Sequence, residues 1–224
     1  MNKLKLLLSA IIKFSFGIIF VGLLLFLPAK TFQFFNAWLF IGLLFVPMFI
    51  LGIFLFIKSP ELLEKRLNAK EKENTQKVVV GFSAILFLAT FLIAGFDFRF
   101  GWSTVPLWCV ILASVILILS YILYAEVMRE NIYLSRTVEV QENQKVIDSG
   151  LYGIVRHPMY AVTIWLFLSI PIVLGSWWAL LCMAPYPFLI AIRILNEEKI
   201  LEEKLVGYKE YKSKVKFRLV PFVW

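Results

Sequence analysis

Histidine is almost missing from this chain of 224 residues: there is one, His157. The two cysteines, Cys109 and Cys182, lie inside apolar runs, and neither a C-x-x-C nor a His-rich spacing occurs. A disulfide framework or a zinc site therefore has no ligands to build on, and the cysteines read as small hydrophobes. Charge is scarce too, at 17% of residues against roughly 25% in a soluble domain. No G-x-G-x-x-G follows a strand-like run and no strand-helix alternation is present, which excludes the soluble dinucleotide-binding architecture. The chain also lacks an internal repeat, a heptad seam and a low-complexity tract, so a solenoid or duplicated transporter finds no support. No small-x-small cleavage site follows the first apolar run, and residues 1–32 read as an uncleaved anchor.

What fills the chain instead is hydrocarbon: 61% of residues are hydrophobic and the mean hydropathy is +0.83. A helix rises about 1.5 Å per residue, so crossing roughly 30 Å of bilayer core takes about 20 largely apolar residues. Six segments approach that length: 9–27, 38–57, 78–96, 105–128, 159–174 and 177–195. Gly175 and Ser176 form a turn signal that makes the last two an antiparallel hairpin. The fifth segment is only about 16 residues long, roughly 24 Å of helix. Pro171 interrupts it, and Pro185 and Pro187 remove backbone donors from the sixth, so five spans plus a kinked or re-entrant hairpin fit as well. The expectation is an all-α polytopic membrane protein of about six transmembrane helices, a single membrane domain. Its residues 1–145 supply spans and loops, and residues 146–224 a C-terminal region that carries the chemistry.

Basic residues set the orientation, because short cytoplasmic loops carry the positive excess. With the N-terminus inside, Lys3, Lys5, the loop 58–77, the segment 129–156 and the C-terminal tail all face the cytoplasm, and only Lys30 and Arg99 face out. Both termini are expected to be cytoplasmic, in the cell's inner membrane. The net charge of +8 belongs to membrane topology and lipid contact, and no nucleic-acid partner is expected. The loop after the second span opens Ser59-Pro60-Glu61, a helix start, and Leu62, Leu63 and Leu67 on one side predict a helix lying on the bilayer surface.

Chemistry concentrates at residues 150–160, G-L-Y-G-I-V-R-H-P-M-Y. Gly150 and Gly153 permit close backbone approach to a ligand, and Pro158 holds a helix start whose free N–H groups favour an anion. Glu126 and Glu130 share a helical face near hydrocarbon with Arg129 between them. At the end of the last span Arg193 and Glu197 are one turn apart and Glu198 follows, and topology returns them to the same face as His157. Farther on lie Gly207, Tyr208 and Tyr211 in a charged amphipathic tail.

The R-H-P-M-Y of 156–160, followed by Glu197-Glu198 and by the G-Y-x-x-Y of 207–211, resembles the isoprenylcysteine carboxyl methyltransferase family, whose wider group includes phospholipid methyltransferases. The resemblance covers about a third of the chain, residues 146–221. It implies S-adenosylmethionine as methyl donor, held by His157, Pro158, Tyr160, Glu197 and Glu198, with Gly150 and Tyr152 matching the glycine and tyrosine that precede the family's arginine. Arg193 matches an arginine one turn before the glutamate pair. Ala161-Val162 departs from the pattern, since many relatives have glycine two residues after the motif tyrosine.

On that reading Arg193 or Arg156 orients an acceptor carboxylate and Glu197 fixes the arginine or the donor's amine, the acceptor being a prenylcysteine-like or other lipid-like molecule that enters from the bilayer. If the acceptor is an amine, Glu197 or Glu198 serves as base. Two other classes stay open: a membrane reductase of the sterol type using NADPH, and a transporter or assembly factor. The second would put ionisable groups deep within spans, whereas Lys13, Glu126 and Arg193 lie near span ends.

Overall fold

The computed structural model describes residues 3–68, 71, 73–135 and 137–224, which form helices and connecting segments with no strand among them. Helix α1 spans Lys3–Ala29, α2 Phe35–Lys58, α3 Pro60–Leu67, α4 Asn74–Phe100 and α5 Leu107–Glu130. A 3-10 turn at Gly150–Gly153 precedes α6 (Pro158–Val173), α7 (Trp177–Met183), α8 (Tyr186–Lys204) and α9 (Tyr208–Lys214). Five of these stretches are long and apolar enough to cross a bilayer: α1, α2, α4, α5 and the continuous run Trp177–Lys204. The expected fifth span is the shorter α6, of 16 residues.

The hairpin expected from Gly175-Ser176 forms. Pro171 is accommodated inside α6, whereas the return leg breaks at Ala184-Pro185 into α7 and α8 because proline cannot donate to the preceding turn. Despite its length, α6 travels the full depth of the bundle. It starts beside the C-terminal part of α8 and the N-terminal turn of α4, and it delivers Ser176 to Asp97 near the C-terminus of α4.

Asp97 ties that far end together. It is 1% exposed, accepts from the Ser103 amide at 2.7 Å and the Ser103 hydroxyl at 2.6 Å, and takes a third bond from the Ser176 hydroxyl. Ser176 in turn caps α7 by accepting from the Ala179 amide at 3.0 Å. The core between these helices is aromatic and aliphatic, with Leu25, Phe34, Phe40, Leu117 and Val173 essentially inaccessible. Gly95 lets α1 close on α4: a Cβ there would sit 2.5 Å from Pro28 Cγ and 2.6 Å from the Leu25 carbonyl. Outward, large apolar side chains such as Phe16, Leu27, Trp108 and Phe188 stay exposed, the surface a bilayer would cover.

At the opposite end, Leu6 of α1, Leu55 of α2, Leu62 and Leu63 of α3 and Met128 of α5 form one buried cluster. Helix α3 packs on the bundle with Leu62 and Leu63 turned toward α1, α2 and α5, so the leucine side expected to rest on the bilayer surface meets protein instead. The start of α1, the end of α2, the start of α4, the end of α5, the 3-10 turn and α9 all lie at this end. Among the described residues, every Lys and Arg except Lys30 and Arg99 lies toward it.

Candidate active site at the basic end of the bundle

The chain enters the site through the 3-10 turn. Gly150 has φ +54°, and a Cβ on it would lie 1.5 Å from Glu130 Oε1, so only glycine lets the Glu130 carboxylate reach the Leu151 amide at 3.0 and 3.2 Å. Glu126 instead faces solvent and pairs with Arg129. The pair of acids at the end of α5 thus splits into a backbone anchor and a surface ion pair. Tyr152 is buried, accepts from Asn131 Nδ2 at 3.0 Å, and its carbonyl takes the Tyr211 hydroxyl at 2.7 Å. Burial pushes the Tyr152 phenol up to about 12, and burial raises Tyr208 and Tyr211 as well.

Two networks follow, one structural and one facing open space. In the first, Glu198 is 3% exposed and accepts Arg156 Nε at 2.7 Å and Arg218 Nε at 3.0 Å, with His157 Nε2 3.3 Å away. Arg156 Nη1 also donates to the carbonyls of Val215 and Lys216, and the amides of Arg156 and His157 donate to the carbonyls of Phe217 and Arg218. Arg156 and Glu198 strap the C-terminal tail across the start of α6.

In the second network, Arg193 Nε donates to the Tyr160 hydroxyl at 2.8 Å, and that hydroxyl donates to Glu197 Oε2. Gln76, wholly buried in the first turn of α4, donates to the Arg193 carbonyl at 3.2 Å and to Asn196 Oδ1 at 2.6 Å. Glu71, 6% exposed by its side chain, lies 3.6 Å from Arg193 Nη2.

A cleft of about 870 Å³, open mouth included, lies over this second network. His157, Tyr160, Arg193, Glu197, Tyr152 and Arg156 all line it. Gly150, Pro158 and Glu198 do not, and they act on the cleft through neighbours. Much of the opposite wall is residues 137–147, together with Tyr208 and Tyr211. The Tyr208 hydroxyl is buried without a hydrogen-bond partner, a polar atom awaiting one.

An open groove of about 750 Å³, open side included, lies between α5 and α6 among outward-facing apolar residues, lined by Ile116, Leu119, Leu123, Val155, Pro158 and Trp165 among others. Apolar side chains dominate it. The first turn of α6 separates the two: His157, Met159 and Tyr160 face the cleft, while Pro158 and Ala161 face the groove.

Residues 108–206 match the family model of phospholipid methyltransferases. This stretch, which carries the R-H-P-M-Y motif and the glutamate pair, is similar to that family. Among solved structures, that of the eukaryotic intramembrane Ras methyltransferase, isoprenylcysteine carboxyl methyltransferase, superposes with a TM-score of 0.53 at 17% identity, covering 91% of this chain and 74% of that one. At such identity the likeness speaks for the fold alone, a polytopic helical architecture that reaches well beyond the family-matched stretch. A comparison with curated protein sequences gives no match. The resemblance read from residues 156–160 and 197–198 is thus borne out: a region similar to phospholipid methyltransferases lies within a bundle of apolar helices.

Glu71, Gln76 and the wall at 137–147 escaped the sequence reading. Gln76 alone carried a usable signal, a polar side chain at the hydrocarbon edge of a span.

Proposed function

We propose that this chain transfers a methyl group from S-adenosylmethionine to a lipid-like acceptor carrying a carboxylate, such as a prenylcysteine, at the cytoplasmic face of the inner membrane. The observation that carries the reading is the pair of cavities set back to back across one turn of α6, one polar and aromatic, the other apolar and open to lipid. A water-soluble donor and a bilayer-soluble acceptor each have a matching compartment. The donor, when bound, supplies an electrophilic methyl on a sulfonium; the new bond is to the acceptor oxygen and the bond broken is to sulfur, whose electron pair leaves with the thioether.

The cleft fits such a donor. It has the orphaned Tyr208 hydroxyl, the aromatic face of Tyr160 for a cation, the Glu197 carboxylate for an amine, and His157 beside them. The chain's own work is positioning. Tyr160 holds the Arg193 guanidinium at Nε and Gln76 holds the Arg193 backbone, so the cation that would orient an acceptor carboxylate is fixed from two sides. Residues 137–147 and the tyrosines of α9 exclude water, and opposite charges that diminish together gain from that low dielectric.

The match to phospholipid methyltransferases favours one second reading, an amine acceptor with Glu197 as base. Isothermal titration of the purified protein with S-adenosylmethionine tests the donor: Glu197→Gln and Tyr160→Phe should weaken binding at least tenfold without lowering the melting temperature. No binding by a folded wild type would sink the proposal and send attention to NADPH. Methyl transfer to a long-chain amine and not to the long-chain carboxylate of the same length would select the amine reading.

A further inference from the structure

Glu71 stands outside the family-matched stretch, on the connection between α3 and α4, yet its carboxylate contacts two residues that line the cleft, Arg193 and Val138. One oxygen does two things: Oε2 lies 3.6 Å from Arg193 Nη2 and accepts the Val138 amide at 3.3 Å. Val138 belongs to the wall over the cleft, and Arg193 lines its floor. The first of these contacts is an ion-pair distance and not a hydrogen bond, whereas the Arg193 bond to Tyr160 is short at 2.8 Å. The wall is also moored to the same region by Lys65 Nζ to Gln141 Oε1 at 2.6 Å and by Arg66 Nη1 to the Ser135 carbonyl at 3.3 Å. Neither mooring touches Arg193. Glu71 alone among these contacts joins the wall to a site cation.

We infer that Glu71 is a placeholder for the acceptor's anionic group, and that an acceptor carboxylate arriving at Arg193 displaces it and thereby loosens the wall at Val138. The inference rests on the reading of Arg193 as the acceptor's anchor. The physics is competition: Arg193 is buried, and two carboxylates brought to its one guanidinium repel each other with little water to screen them, so the incoming anion and Glu71 trade places. Displacement removes the acceptor from the Val138 amide, since the same oxygen serves both. The device discriminates as well, because a neutral lipid offers Arg193 nothing with which to replace Glu71.

The test uses the full chain in lipid nanodiscs with dodecanoate as anionic probe and methyl dodecanoate as neutral control. In the wild type, dodecanoate should speed hydrogen exchange at the Val138 amide about tenfold, the loss of one charge-assisted bond, and the ester should leave it unchanged. Glu71→Ala should exchange fast from the start and respond to neither. Glu71→Gln, which keeps the shape and removes the competing charge, should bind dodecanoate several-fold more tightly, a gain that mere damage to the site would not produce. Equal responses to acid and ester, no response to either, or unchanged or weaker dodecanoate binding in Glu71→Gln would each overturn the inference. Failure of the wild type to bind S-adenosylmethionine would instead overturn the methyl-transfer reading and leave these exchange results to stand or fall by themselves.

Discussion

Glu198 carries the heaviest structural duty of any single side chain in the site. Its carboxylate is enclosed with Arg156 and Arg218, so Glu198→Ala strands two guanidinium groups with one partner gone. That substitution should cost about 3–5 kcal/mol, read as a fall in the thermal unfolding midpoint in detergent. Tyr152 gives a pH signature. Its phenol is held neutral up to about 12 against 10.0 for an unperturbed tyrosine, so below pH 10 both folded and unfolded chains keep the proton. Above it the unfolded chain ionises first, and stability worth roughly 2–3 kcal/mol drains away between pH 10 and 12. Tyr152→Phe should flatten that alkaline limb in unfolding curves. At this scale the sequence was legible where residues adjacent in the chain form a motif: His157, Tyr160, Arg193 and Glu197 do meet. It was mute about Glu71, which reaches Arg193 across more than a hundred residues of chain with no local pattern of its own, and it marked Gln76 only as a polar side chain at a span edge without saying what it meets. Nor could the motif show that Arg156 and Glu198 face each other and the tail, since R-H-P and E-E spacings fix which helix end a residue occupies and not which way it turns.

Among elements, the α6–α7 hairpin was readable because glycine, serine and proline punctuate it: the chain turns at Gly175-Ser176 and breaks at Pro185, while Pro171 stays within α6. The position of α3 was not, since an amphipathic octapeptide with three leucines fits a lipid surface and a protein groove equally, and only the assembled α1, α2 and α5 decide between them. The hairpin's far corner hangs on Asp97, which joins α4, the α4–α5 connection and the start of α7. Asp97→Ala leaves the Ser103 amide and two hydroxyls without their acceptor and should lower stability by about 2–4 kcal/mol. Because that corner lies at the opposite end of the bundle from the cleft, titration of the surviving folded protein with S-adenosylmethionine should give wild-type affinity.

For the whole molecule, charge and connectivity agree. All described basic residues but Lys30 and Arg99 sit at the end that holds the site, and the described start of α1 and the C-terminal tail both lie there. If that end is cytoplasmic, a membrane-impermeant thiol reagent applied to intact cells should label Lys30→Cys and spare Lys209→Cys in a background lacking Cys109 and Cys182; the reverse pattern would turn the protein over. The groove between α5 and α6 has one more consequence. Trp165, Leu119 and Leu123 leave its flank open to hydrocarbon, so a ligand there is dosed by its mole fraction among neighbouring lipids and not by its molarity in the buffer. Binding to such a groove obeys surface dilution: adding inert phospholipid at a fixed total amount of ligand lowers its occupancy, and an affinity measured in one micelle does not transfer to another membrane until it is restated per lipid.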